Sequence, residues 1–276
     1  MKNLTRSAIR PVILTLVAPV AGFVLIFLLE LLLKIDLSKL LKAIVNLAVV
    51  APIAFVLFPR QLGIPFGKIE TRAFLQGIGL YFPDGAWKHI ALGLILAGCT
   101  LSGMLIPSIL TGKYAMDTST INLPHLVFSL NPGLWEELFY RGVLMILLLK
   151  LTRSLKWALA IQVALFALFH IKGTDIWAFV DVISVTVMAV GFTYAAYKTR
   201  ALIAGIVFHY FHDAFLLFVQ LGKDIDSSVA DKAMFHGTLW VMVGVGCAIT
   251  KLAVDRFGVR APTELYHLAR PVAETT

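Results

Sequence analysis

Uncharged apolar runs long enough to cross a bilayer recur along this chain, and they constrain its fold more than any other feature. A spanning helix needs roughly 20 mostly apolar residues. Eight stretches approach or meet that length, at approximately 11–33, 40–58, 91–110, 132–149, 155–171, 176–197, 201–221 and 234–251. Backbone polar groups in hydrocarbon must pair within their own segment, so such runs become helices. The expected fold is all-α, a polytopic membrane helical bundle of about eight transmembrane helices.

Composition agrees. Of 276 residues, 59% are apolar and 14% charged, against about 45–50% and about 25% in a soluble domain. A mean hydropathy of +0.87 leaves more apolar surface than one soluble core can hide. The net charge of +8 is read as orientation and not as a nucleic-acid footprint. Lys and Arg divide 16 to 7 between alternate connections, with Arg141 inside a span, which predicts both termini in the cytoplasm. Lys2, Arg6 and Arg10 precede an apolar stretch from Pro11 to Leu29. A secretory apolar core is about 7–15 residues, so this stretch is expected to remain as a first helix. Residues 1–253 form one integral membrane domain, and 254–276 a polar cytoplasmic tail. The connection Pro59 to Ile90 is expected along the cytoplasmic interface. Cys99 and Cys247 lie in apolar runs and read as small hydrophobes.

Ionisable residues within spans are the functional signal, because each costs ~2.5–3.5 kcal/mol at a helix centre on insertion scales. The fourth span carries Glu136, Glu137 and Arg141, the fifth ends in His170, and the seventh carries His209, His212 and Asp213. Glu30 and Asp181 fall near outer span ends and read as interfacial. Asn131 is a candidate N-cap with Pro132 at the first helical position, placing Glu136 and Glu137 near a helix N-terminus. Glu137 and Arg141 are four apart with the acid first, the favourable order for an ion pair. His209 and Asp213 share a face by the same spacing. Phe166 lies one turn before His170 and is expected to pack beside its ring.

A carboxylate with several imidazoles in a dry pocket is suited to activating water, with Glu136 as base, His170 orienting the water and His209 facing the developing oxyanion. Gly-x-Ser-x-Gly is absent and no cysteine looks nucleophilic. A zinc site on His170, His209, His212 and Asp213 is the alternative cofactor reading, although no HExxH occurs. A transporter, or a catalytically silent membrane partner using the same charges for proton relay or packing, is the alternative function.

Three motifs sharpen this. Glu136-Glu137-Leu138-Phe139-Tyr140-Arg141 resembles the EExxxR motif of the CPBP family, the CAAX proteases and bacteriocin-processing enzymes also called Abi proteins. Phe166 to His170 resembles its FxxxH motif, and His209 to Asp213 its HxxxN/D motif. The resemblance runs from about 124 to 218, the expected catalytic core. It implies a glutamate-dependent intramembrane endopeptidase of a prokaryotic plasma (inner) membrane, with no cofactor and a membrane-bound protein or peptide as substrate. On this resemblance Glu136 and His170 activate water, Glu137 and Arg141 support that glutamate and the substrate backbone, and His209 with Asp213 forms the oxyanion hole. Because this chain has Asp at 213 where eukaryotic CAAX endopeptidases carry Asn, Asp213 is expected to orient His209. Oligomeric state is not readable.

Overall fold

The computed structural model describes residues 13–14, 17, 24–34, 38–61, 71–82, 84–113, 115–116, 122–171, 173–216, 219–220 and 228–261. It is helical almost throughout. In chain order come α1 (Val24–Leu33), α2 (Lys39–Pro52), a π turn (Ile53–Leu57), α3 (Phe58–Gln61), α4 (Thr71–Gly77) and α5 (Ala86–Leu110). Then follow α6 (Leu123–Glu136), a π segment (Glu137–Leu144), α7 (Met145–Thr152), α8 (Leu155–Leu168), α9 (Ile176–Thr199), α10 (Ile203–Leu216) and α11 (Val229–Phe257). A two-residue antiparallel pairing of β1 (Ala115–Met116) with β2 (Val219–Gln220) ties the loop after α5 to the end of α10.

Among the described residues, α5, α9 and α11 are each long and apolar enough to cross a membrane, while α1, α8 and α10 are shorter apolar helices. Large apolar side chains point outward: Phe27, Leu32, Leu94, Ile106, Val241 and Leu252 are all exposed. A soluble surface rarely carries so much contiguous apolar area, whereas lipid is an equivalent solvent for it. The molecule is an integral membrane protein.

Caps, which hydropathy does not read, set the helix ends. α6 is capped by Asn122, whose side-chain oxygen accepts from the His125 backbone N–H at 3.1 Å, with Pro124 in the first turn. The expected cap at Asn131 is therefore corrected, and Pro132 is interior. Membrane helices tolerate an interior proline because neighbouring groups re-satisfy the freed carbonyl. Glu136 and Glu137 lie well inside the rod, so the dipole argument for them does not hold. At the eighth span, a Ser228/Asp231 capping box and Gly258 in the left-handed conformation extend the helix beyond 234–251 at both ends.

Past α11, Val259 and Ala261 are buried, and Ala261 N–H bonds Thr199 carbonyl at 2.8 Å. Residues 262–276, and most of 11–23, lie outside the described residues. Within the connection 59–90, α4 turns Phe74 and Ile78 into the core, and Leu202 N–H bonds Gly79 carbonyl at 2.8 Å.

The core has two parts. One joins α4, the π segment, α7 and α8 around Phe139, Leu144 and Phe166. The other joins α5, α9, α10 and α11 around Leu96, Phe192, Phe208 and Leu239. The ionisable residues collect where the two meet.

Candidate functional site

The π segment carries the first half of the site. All eight of its residues are buried. Widened helical turns of this kind are rare and concentrate at functional sites. Glu137 and Arg141, both fully buried, pair at 3.0 Å through Oε1 and Nη1, the ion pair that the i,i+4 spacing predicts. His209 Nδ1 lies 3.0 Å from the same Oε1. A carboxylate only accepts, so Nδ1 carries the hydrogen and Nε2 faces the other way. There it meets Glu136 Oε2 at 3.8 Å and Asp213 Oδ2 at 3.7 Å.

This corrects one expectation. Glu137, not Asp213, makes the orienting hydrogen bond to His209. Asp213 stands at the opposite nitrogen, beyond hydrogen-bond distance.

His170 does not sit in a helix. α8 ends at Leu168, and His170 occupies the turn after it. Its Nδ1 donates to the Phe166 carbonyl at 2.7 Å, which leaves Nε2 directed at Glu136 Oε2, 4.0 Å away. Glu136 thus has two imidazole nitrogens at 3.8 and 4.0 Å. Both separations exceed a direct hydrogen bond and suit one bridged by water. Glu136 at the end of α6, His170 just after α8 and His209 on α10 thus meet. Glu136 is buried, and its Oε2 has no hydrogen-bond partner among the described residues.

Aromatic rings hold these groups. Phe166 packs on His170 with ring centroids 4.5 Å apart, as expected from the sequence. The Arg141 guanidinium lies 4.2 Å from the Phe166 ring and 5.1 Å from that of Phe192. Phe192 also stacks on His209 at 4.7 Å. Arg141 Nε and Nη2 have no hydrogen-bond partner among the described residues. Cation–π attraction, worth about 2 kcal/mol when desolvated, offsets part of that cost. Sequence reasoning missed Phe192, because nothing in a run of apolar residues marks one aromatic ring as a platform.

Two glycines were missed as well. A Cβ on Gly205 would lie 2.8 Å from Glu137 Oε2, and one on Gly133 would lie 3.0 Å from Tyr210 N. Small residues let membrane helices approach closely, and here they bring α6 and α10 near enough for Glu137 to reach His209. Gly205 lies four residues before His209, so its shared face was a readable signal. Gly to Ala inside a helix ordinarily stabilises by about 0.5–1 kcal/mol. Gly205→Ala is expected to reverse that sign here and to lower the thermal midpoint in detergent, because the added Cβ would displace Glu137 Oε2. A raised midpoint would refute this.

The site opens into a cavity of about 520 Å³ lined by His170, His209, His212 and Asp213 on one wall. A larger, apolar cavity of about 740 Å³ between α4, α5, α6 and α10 contacts none of these four. No group of three or more His, Cys, Asp or Glu side chains among the described residues is arranged to hold a metal ion. Glu30, read as interfacial, pairs with Lys42 at 2.8 Å. Asp181, read the same way, lines the cavity.

Residues 118–215 match the family model described as type II CAAX prenyl endopeptidase Rce1-like. The match covers about a third of the chain and includes Glu136, Glu137, Arg141, His170, His209 and Asp213. No curated protein and no solved structure matches.

Proposed function

We propose that this membrane protein is an intramembrane endopeptidase that hydrolyses a peptide bond of a membrane-associated substrate through water activated by Glu136 and His170. The observation that carries the reading is the pair of gaps at Glu136 Oε2, 4.0 Å to His170 Nε2 and 3.8 Å to His209 Nε2, inside a segment that matches a membrane protease family. A water between Glu136 and His170 donates one hydrogen to the carboxylate and one to Nε2, whose lone pair the Phe166 carbonyl has turned toward it. Its oxygen attacks the peptide carbonyl while Glu136 takes a proton. As the C–N bond breaks, Glu136 returns that proton to the leaving nitrogen, and the carboxylate is restored.

Glu137 plays a positioning part, holding His209 and Arg141 through one oxygen. An imidazolium at 209, with Glu137 on Nδ1 and Glu136 and Asp213 flanking Nε2, donates to the oxyanion. Catalysis in this scheme uses no cofactor. Eight spans with both termini cytoplasmic, in the inner membrane of a prokaryote, complete the proposal. That topology puts the cavity mouth nearer the outer face and favours a membrane-embedded or exported peptide over a cytosolic C-terminus. Cytosolic protease access to a tag inserted at 173–175 would overturn this sidedness.

Comparing membrane peptides of the native host carrying wild type or Glu136→Gln tests the activity, with a chelator arm beside it. Cleavage products present in wild type and absent in Glu136→Gln are expected. Identical peptide sets would refute the reading, and loss on chelation restored by zinc would replace it with metal chemistry.

A further inference from the structure

The larger cavity, between α4, α5, α6 and α10, is lined by none of the residues to which the chemistry is assigned. Its volume of about 740 Å³ lies within the range of about 300–1,000 Å³ usual for ligand sites. Leu80, Ile90, Leu134, Ile206 and Val207 form its walls, and the polar residues among its described lining are Gln76, Tyr81 and Asp84. Phe82, Asp84 and Ile90 are exposed, so the cavity opens at the surface of the molecule on that side.

Two of the polar groups there are unspent. Asp84 makes no hydrogen bond or ion pair among the described residues. Lys88, the nearest cation along the chain, instead donates through Nζ to the Phe257 carbonyl at the end of α11, 3.1 Å away. The Gln76 carboxamide likewise has no partner among the described residues. Asp84 stands two residues before the start of α5, a helix long and apolar enough to span. Trp87 beside it is 67% exposed, and an exposed tryptophan at the end of a spanning segment sits at headgroup level. The carboxylate is thus at the headgroups, and Ile90, one turn into α5, begins an apolar cavity beneath it.

A cavity open to a bilayer fills with a lipid tail, because an empty one forfeits the dispersion contacts of its lining. Tail for tail the gain over bulk lipid is small, since acyl chains are as apolar as leucine. Any choice among lipids therefore comes from the headgroup. We propose that this cavity binds a phospholipid with a primary ammonium headgroup, a phosphatidylethanolamine, its acyl chain between α5, α6 and α10 and its ammonium on Asp84. Gln76 donates to a phosphate or ester oxygen of the same lipid. A primary ammonium has three hydrogens to offer the carboxylate, whereas a trimethylammonium has none, and an anionic headgroup brings a second negative charge beside it. The tail packs on Leu134, two residues before Glu136, and on Ile206, three before His209, so occupancy braces the α6–α10 seam.

The inference stands apart from the endopeptidase reading, and its test needs no peptide substrate. Wild type, Asp84→Asn and Ile90→Trp are purified in detergent, stripped of lipid, and titrated with phosphatidylethanolamine, phosphatidylcholine or phosphatidylglycerol of identical acyl chains. Native mass spectrometry reads the affinity and thermal unfolding reads the midpoint. Wild type is expected to bind phosphatidylethanolamine about fivefold more tightly than the other two, the upper end for an exposed ion pair, and to gain the most in midpoint from it. Asp84→Asn is expected to bring phosphatidylethanolamine to the level of phosphatidylcholine. Ile90→Trp, which fills the cavity from its rim, is expected to weaken all three. Equal affinity of wild type for the two zwitterionic lipids, tightest binding of phosphatidylglycerol, or a preference kept in Asp84→Asn would overturn the proposal. Binding unmoved by Ile90→Trp would overturn it too, by placing the lipid elsewhere. So would a lipid-modified peptide that copurifies with wild type and not with Ile90→Trp. Should Ile90→Trp fail to accumulate, Asp84→Asn decides, since that side chain is exposed and asparagine matches its size.

Discussion

Glu136→Gln is expected to lower kcat by about 10²–10⁴-fold, the range assigned to a positioned general base, with the protein still folded. The substitution exchanges one carboxylate oxygen for an amide nitrogen of nearly the same size, so the packing around a side chain already buried among His170, His209 and Asp213 is kept. What is lost is the capacity to take a proton from water. His170→Ala, which removes the other group directed at that water, is expected to give a loss of similar order. The two together should cost far less than the product of the single losses, because residues acting on one water act as a unit. Purified protein in detergent with a cleaved peptide provides the measurement. Strictly multiplicative losses would show that Glu136 and His170 act on separate steps, and a Glu136→Gln protein with wild-type turnover would remove Glu136 from the chemistry.

Arg141→Met is expected to produce the largest loss of stability in the molecule. Arg141 and Glu137 are fully buried, and removing one partner of a buried pair leaves an uncompensated charge at a cost of about 3–5 kcal/mol. Methionine fills comparable space between Phe166 and Phe192 and forfeits the cation–π contacts with both rings. Glu137→Gln combined with Arg141→Met removes both charges, and is expected to recover much of that stability without recovering turnover. Glu137 Oε1 also holds His209 Nδ1, and a carboxamide there holds it less firmly. Reversible unfolding in mixed micelles, followed for the single and double variants, reads the coupling. A double variant no more stable than Arg141→Met would show that the pair is not what the buried charge requires.

The partition of the site between sequence and structure follows from reach. Spacing within one helix was enough for the Glu137–Arg141 pair, and one turn of helix was enough for Phe166 beside His170. Both contacts appear as expected. The N-cap assigned to Asn131 failed because Asn131-Pro132 and Asn122 with Pro124 carry nearly the same local signal. Only the packed rod shows that the helix runs through Pro132. The i,i+4 spacing of His209 and Asp213 is legible along one helix, whereas the bond that orients His209 comes from Glu137, 72 residues away in sequence. The hydrogen bond between Ser184 and His236, 52 residues apart, left no trace in any local pattern.

By itself, the sequence determined that this chain lives in a bilayer and is built of helices, since apolar runs have no other stable form there. It also determined which few ionisable groups that bilayer must accommodate, because so few are present. The tertiary structure alone decided which nitrogen of each histidine faces Glu136, that Gly205 and Gly133 bring α6 and α10 together, and that a second, apolar cavity lies between α4, α5, α6 and α10. Those features depend on contacts between helices, where a shift of 1 Å separates a hydrogen bond from a gap, and no periodicity along one helix encodes the distance to the next.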